Sequence, residues 1–288
     1  MRIHVVGARG FLGSYIVPAL AKEHQVDTSD VTTLDVTDAA GAAAALAASR
    51  PDVVINLAAL CGAIPSVRDP RSFFEVNAQG AVNVLEACRR AGVPRVLFTS
   101  SMTVFGSGET ERTEDSPYAP RHPYASAKVG AEFATAMYAR SYGLSCLVLR
   151  PTLVVGEGYK EPHAIGDFVE TVRAGRPIRI FGAGTHRRDF MHPADVASAV
   201  RLAVDWLGAA PAGAFETVNL ANGEAPEMRE LARLVVGTLG RGSIEFVEKT
   251  GQAFSLFTSI RKAESLLGFK PTIPNVDIIR RLGGRGAR

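Results

Sequence analysis

Short apolar runs rich in β-branched residues alternate, over the first half of the chain, with longer stretches whose apolar positions recur at helical spacing. This pattern predicts strands over residues 3–6, 25–30, 53–57, 96–99 and 144–149. Helices are predicted over residues 13–21, 39–48, 81–91 and 125–142, with Asp38 placed to cap the second. The second helix is mostly alanine, a strong helix former, and is assigned no chemistry. Strands alternating with helices imply an α/β fold built on a doubly wound parallel sheet. Beyond Arg150-Pro151, glycines at 156, 158, 166, 175, 182 and 184 break the pattern into short elements. The expected division is a dinucleotide-binding domain over 1–155, rejoined by about 189–220, and a smaller substrate lobe from 156–188 and 221–288.

Composition narrows the class. The 288 residues are 47% hydrophobic and 21% charged, as in a compact globular protein. No apolar run approaches the ~20 residues of a membrane span, and the first residues lack the features of a signal peptide. A cytoplasmic protein with no membrane partner is expected. The three cysteines, Cys61, Cys88 and Cys146, lie in apolar stretches without metal-ligand spacing, so buried thiols and no metal are expected. A net charge of +3 does not call for nucleic acid. The basic tail of Arg280, Arg281, Arg285 and Arg288 is expected to fray.

Candidate chemistry begins at Gly7-Ala8-Arg9-Gly10-Phe11-Leu12-Gly13, which follows a strand and opens a helix. In that context glycines permit a tight turn, a close approach to a pyrophosphate at the helix N-terminus, and close helix packing. Asp30, at the end of the second strand, is placed to accept hydrogen bonds from an adenosine ribose, which favours NAD. Arg9 pulls the other way, since a cation within the turn suits the 2′-phosphate of NADP.

Tyr124 and Lys128 are four residues apart on one predicted helix and so share a face. A phenol with a pKa near 10 is a poor base at neutral pH. An ammonium ~4 Å away, at an effective dielectric of ~20, is worth about 4 kcal/mol, on the order of three pKa units. The pair is therefore expected to bring Tyr124 close to neutrality and to make it a proton-exchanging group. Ser101, where the fourth strand ends, is placed to hydrogen-bond a reacting oxygen or to cap a turn.

Taken in order, these residues resemble the extended short-chain dehydrogenase/reductase family, and within it the nucleotide-sugar epimerases, dehydratases and reductases. The resemblance covers almost the whole chain. Besides the glycine turn it includes Asp52-Val53-Val54-Ile55-Asn56-Leu57-Ala58-Ala59, Asn77-Ala78-Gln79-Gly80, Thr99-Ser100-Ser101, Tyr124-Ala125-Ser126-Ala127-Lys128, Leu149-Arg150-Pro151-Thr152 and Arg187-Arg188-Asp189-Phe190-Met191-His192. It implies a Rossmann sheet, Tyr124 as acid/base with Ser101 as its partner, and Lys128 holding the nicotinamide ribose. It also implies Ala58 and Ala59 along the cofactor channel with Asn77 nearby, and Arg188 against a nucleotide-sugar pyrophosphate. A surface ion pair between Arg188 and Asp189 is the alternative.

One departure bears on the reaction. The family's dehydratases carry an Asp-Glu pair directly after the hydroxyl residue, where this chain has Met102 and Thr103. Elimination is thereby disfavoured, and Ser101-Met102-Thr103-Val104-Phe105-Gly106 resembles the same stretch of the family's 4-epimerases, which implies an epimerase acting at C-4 through a transient ketone, with a reductase of a nucleotide-activated 4-keto sugar as the alternative. A nicotinamide-sensing protein without turnover is a third reading, which the presence of Tyr124, Lys128 and Ser101 disfavours. Helices 81–91 and 125–142 carry small and apolar residues on more than one face, which fits either pairing in a homodimer, frequent in the family, or two buried core helices. His163, Arg179 and Arg261 are further positions at which to look for substrate contacts.

Overall fold

The computed structural model describes residues 1–248 and 254–284. The chain opens with β1 (Arg2–Val6), α1 (Gly13–Leu20), β2 (Gln25–Ser29), α2 (Ala39–Ser49) and β3 (Val53–Asn56). It continues through α3 (Ala63–Arg68), α4 (Pro70–Phe74), a π-helical turn (Glu75–Gln79), α5 (Gly80–Ala91), β4 (Arg95–Thr99), a 3₁₀ turn (Met102–Phe105) and α6 (Pro123–Tyr142). There follow β5 (Ser145–Pro151), β6 (Leu153–Val154), α7 (Ala164–Arg173), β7 (Ile178–Phe181), β8 (Phe190–Met191), α8 (Pro193–Ala209) and β9 (Phe215–Leu220). The last described elements are α9 (Met228–Leu239), β10 (Ile244–Val247), α10 (Arg261–Leu267) and α11 (Asn275–Gly283).

Six parallel strands form the central sheet in the order β2-β1-β3-β4-β5-β9, an α/β fold of the doubly wound kind. Successive side chains of a strand point to opposite faces, and both faces here are covered. Ile3, Val5, Val53, Ile55, Leu97, Leu147 and Leu149 pack with residues of α1 and α8. Val6, Val54, Val96 and Cys146 pack on the other face with residues of α2 and α5. A separate core joins Val155 with residues of α7, β7, α9 and α11, beside the short β7–β10 pair.

Two buried aspartates pin the crossings between these cores. Asp189 accepts from the Asn222 and Gly223 amides at 2.8 and 2.9 Å, and burial pushes its carboxyl up to about 7. Asp195 accepts from the Thr272 amide, the Thr272 hydroxyl and the Ile273 amide at 3.1, 2.8 and 3.0 Å.

The five predicted strands and the four predicted helices all form within a residue or two of their expected ends. What the sequence pattern did not anticipate is the helix before the third, which begins at Pro70, where Asp69 caps it, and runs through the π-helical turn into α5. Arg280 and Arg281 stand in the last turn of α11 rather than in a frayed tail, and Arg285 and Arg288 lie outside the described residues. Cys88 and Cys146 are buried as expected; Cys61 is a correction, described below.

Asp195→Ala strands two buried backbone amides and a hydroxyl. It is expected to lower the unfolding free energy by about 3 kcal/mol, read as a fall in the urea midpoint with the slope unchanged.

Candidate active site

The glycine turn is shaped by close backbone contacts. Gly7 adopts a φ of 81°, and the Gly7 and Ala8 amides both donate to the Ser29 carbonyl at 2.9 Å. A Cβ on Gly7 would lie 2.7 Å from the Ala58 nitrogen, and one on Gly13 would lie 2.1 Å from the Ala8 carbonyl oxygen. These two glycines are required by the turn itself. A Cβ on Gly10 would meet only the Gly7 oxygen, at 3.2 Å, so its outer face is the open one. No side chain caps the start of α1, where Leu12 precedes Gly13. Uncapped amides beside an open glycine face suit an anionic phosphate. Phe11 packs against Tyr15 and Tyr159, with ring centroids 5.9 and 5.1 Å apart.

Asp30 and Arg9, which pulled in opposite directions, are a pair. Arg9 Nε lies 2.7 Å from the Asp30 carboxylate, which also accepts from the Thr32 amide and hydroxyl at 2.8 and 2.6 Å. The Thr32 hydrogen bonds, with a smaller contribution from Arg9, hold the Asp30 carboxyl below its ordinary range. An added phosphate beside Arg9 would face that carboxylate, whereas a ribose hydroxyl would find an acceptor. The arrangement fits NAD better than NADP.

Helix α6 carries the tyrosine and lysine. The His122 side chain accepts from the Ala125 amide at its start, and Pro123 occupies the first turn. Lys128 is buried, and its ammonium donates to the Thr99 carbonyl at 2.7 Å. Ser101 caps the 3₁₀ turn, accepting from the Thr103 amide and hydroxyl at 3.2 and 3.0 Å, and lies close enough to Tyr124 to lower the pKa of its phenol. The ends of β4 and α6 thus bring Tyr124, Lys128 and Ser101 together. Tyr124 stacks on His122 and meets the edge of Phe73.

The expectation that Tyr124 titrates near neutrality is corrected. Burial pushes its phenol above the ordinary tyrosine range, opposed only by the nearby Ser101 hydroxyl. Tyr124 keeps some accessible surface, but protein encloses it, and enclosure governs which protonation state is stable. Burial likewise lowers Lys128 to about 8, against the opposing charges of Cys61 and Glu132. The lysine ammonium sits 6.0 Å from the Tyr124 ring centre and is directed to Thr99, so it does not dominate the phenol.

The loop after β3 lines the same cleft. Asn56 accepts from the Ala58 amide at 3.1 Å, and Ala58 and Ala59 are half-buried. Asn77, on the π-helical turn, accepts from the Leu60 amide and donates to the Leu60 carbonyl at 2.8 and 2.9 Å. Its side chain is committed to holding this loop. Cys61 is exposed rather than core, although surrounding atoms desolvate its thiol and raise its pKa, and it interacts with Lys128, Tyr124 and Glu161.

Beneath the site lies a buried network that reading the sequence missed. Glu132 and Arg150 are 1% and 2% exposed and form a bidentate pair, with Arg150 Nη2 2.5 Å from Glu132 Oε2 and Nε 3.1 Å from Oε1. Ser100 and Tyr118 donate to the same carboxylate, Tyr118 at 2.8 Å. The available signal was spacing, since Tyr124, Lys128 and Glu132 recur every four residues on one helix.

Arg188 is largely enclosed, and burial alone lowers its pKa, so no carboxylate among the described residues offsets it. Its backbone amide donates to the Pro226 carbonyl at 3.2 Å. The alternative ion pair with Asp189 does not form, because that carboxylate is taken by the Asn222 and Gly223 amides. An enclosed guanidinium of this kind suits a phosphate-bearing ligand. Of the further positions, His163 caps α7 and packs on Tyr159, Arg179 faces Glu245 on the β7–β10 pair, and Arg261 begins α10. No cluster of metal-ligating side chains occurs among the described residues.

The sequence profile of the NAD dependent epimerase/dehydratase family matches residues 3–221. The chain is 34% identical to a UDP-glucose 4-epimerase of Mycolicibacterium smegmatis, over 83% of each chain. It is 30% identical to a dTDP-glucose 4,6-dehydratase of Mycobacterium tuberculosis, over 71% of this chain and 69% of that one. Among solved structures, a UDP-glucose 4-epimerase from Brucella ovis in complex with NAD superposes with a TM-score of 0.86 at 28% identity, covering 98% of this chain and 97% of that one.

Two variants test the cofactor cradle. Gly13→Ala is expected to abolish the rise in melting temperature that added NAD confers, read by thermal unfolding, and Asp30→Ala to narrow or invert a preference for NAD over NADP, read by calorimetric titration.

Proposed function

The chain belongs to the NAD-dependent epimerase/dehydratase family, and on that premise we propose that it epimerises a nucleotide sugar at C-4 with NAD as cofactor. The observation that carries this reading is the meeting of Tyr124, Ser101 and Lys128 at the C-terminal end of β4, beside the glycine turn. NAD would lie along Gly7 to Gly13, Asp30, Ala58 and Ala59, with Lys128 at the nicotinamide ribose. When bound, the nicotinamide supplies reversible hydride chemistry.

Tyr124 exchanges the proton of the C-4 hydroxyl at its phenolic oxygen as the sugar passes through a ketone. Ser101 supports that exchange, since a hydroxyl donating to the phenol favours the phenolate. Thr103 donates in turn to Ser101 and fixes its rotamer. Arg188 supplies the charge for the pyrophosphate of the nucleotide, and the residues around α7, α9 and α11 form the substrate lobe. Elimination chemistry is disfavoured, because Met102 is buried in an apolar cluster and Thr103 is bonded to Ser101 where dehydratases carry carboxylates. A reductase would use the same three residues, but the Arg9–Asp30 pair counts against NADPH.

The unpaired cysteines accord with a reducing, cytoplasmic setting, and no described helix is long and apolar enough to cross a membrane. A homodimer is supported by exposed Phe133 and Met137 on α6 and by Phe74, Ile64 and Val67 on the adjoining α4 and α3. Helix α5, by contrast, is largely core.

Incubation with UDP-glucose or UDP-galactose, followed by NMR of the sugar, is expected to show interconversion without net cofactor consumption. Tyr124→Phe should lower kcat by roughly 10²-fold or more. Consumption of NADPH with a 4-keto sugar and no interconversion would establish the reductase instead. Sedimentation of Phe133→Glu beside the wild type tests the dimer, with a shift to monomer expected.

A further inference from the structure

We propose that Glu132 is a positioning residue for Ser101, Tyr124 and Lys128, acting from beneath the site through Ser100 and through its own charge; this rests on the function proposed above. The Glu132 carboxylate receives Ser100 Oγ, Tyr118 Oη and the Arg150 guanidinium, a set that leaves it a single orientation. Ser100 stands between the two residues whose placement matters most. Thr99 offers its carbonyl to the Lys128 ammonium at 2.7 Å, and Ser101 lies beside Tyr124 and favours its ionised form. The Ser100 amide is fixed as well, donating to the Leu149 carbonyl at 2.7 Å. With both its amide and its hydroxyl anchored, residue 100 cannot rotate without moving both neighbours.

The second line of argument is electrostatic. Glu132 lies one helical turn beyond Lys128 on the same face, and its charge opposes the loss of the lysine proton that burial favours. The other groups facing the ammonium are Cys61 from the loop after β3, the Tyr124 ring on its own helix, and the Phe98 ring and Thr99 carbonyl from β4. Of these, the two that hold the lysine charged are Cys61, whose own thiol is biased toward its neutral form, and Glu132. Glu132 is therefore the carboxylate that acts on the ammonium, and it is shared with Arg150. Stability alone does not account for the arrangement, because apolar packing replaces a buried ion pair at little or no loss.

Glu132→Gln keeps the shape and removes the charge. In the wild type, NAD affinity measured by calorimetry without substrate should weaken at alkaline pH as Lys128, near 8, loses its proton. In Glu132→Gln that midpoint is expected to move down by on the order of one pH unit. The kcat for UDP-galactose should fall about tenfold or more with KM little changed. A folded Glu132→Gln with an unmoved midpoint overturns the inference alone. A wild type with no alkaline loss of NAD affinity overturns the reading of Lys128, and the inference with it. Should Glu132→Gln fail to fold, Ser100→Ala, which leaves no charge unpaired, decides the matter: a melting temperature within a few degrees of wild type with a clear loss of kcat supports the role, and wild-type kcat overturns it.

Discussion

A carboxylate and a guanidinium, each almost wholly removed from water, set the constraint on which the site depends. Taking two charges out of water costs several kcal/mol per ion, and the mutual attraction offsets this only where every remaining donor and acceptor is matched. Glu132 and Arg150 meet that condition by drawing in the surrounding chain. Arg150 reaches the Tyr118 hydroxyl at 2.7 Å and the Glu114 carbonyl at 3.3 Å, and lies over the rings of Phe105 and Tyr118. Glu114 then accepts from the Asn219 amide at 2.8 Å. One ion pair thereby fixes α6, the ends of β4, β5 and β9, and the long segment before α6. Removing a single partner of such a pair costs about 3–5 kcal/mol, a large share of the 5–15 kcal/mol typical of a folded protein.

The opposite wall of the cleft is set by steric exclusion. Gly7 and Gly13 let backbone approach backbone where any side chain would collide, and the turn hangs from the Ser29 carbonyl at the end of β2. The same wall is tied to the loop between β6 and α7. Tyr15 donates to the Glu157 carbonyl at 3.0 Å, His192 lies 3.1 Å from the Glu157 carboxylate, and Phe11 packs on Tyr159. The loop leading into the smaller core is therefore tied to the helix that opens the glycine turn.

What could be read from the sequence was what local spacing encodes. Strand–helix alternation, the glycine turn between β1 and α1, and the four-residue interval from Tyr124 to Lys128 are each decided within one or two turns of chain. Glu132 was not legible, because Ser100, Tyr118 and Arg150 reach it from 32, 14 and 18 residues away. Cys61 was misread because its apolar neighbours suggested core, while the loop that Asn77 holds runs along the cleft. Arg188 and Asp189 are adjacent yet unpaired, since successive side chains of an extended segment point to opposite sides. The continuation of helix from Pro70 into α5 was missed because a π-helical turn joins the two parts.

Burial also reverses a simple charge argument about the reacting groups. Tyr124 is pushed up and Lys128 pulled down, so as pH rises the ammonium gives up its proton before the phenol does. The site at rest therefore holds a protonated phenol rather than a standing phenolate. On the proposed function, activity of the tyrosine as a base would arise from groups that favour its ionised form, and of the protein's own groups Ser101 is the one that lowers its pKa. In the function proposed, the placement of the β4 end therefore matters to proton transfer beside the presence of a nearby cation. A displacement of the strand end by a fraction of an ångström would weaken the Ser101 contact while leaving the fold intact, and for that reason the network beneath it bears on the chemistry as much as the groups that face the cleft.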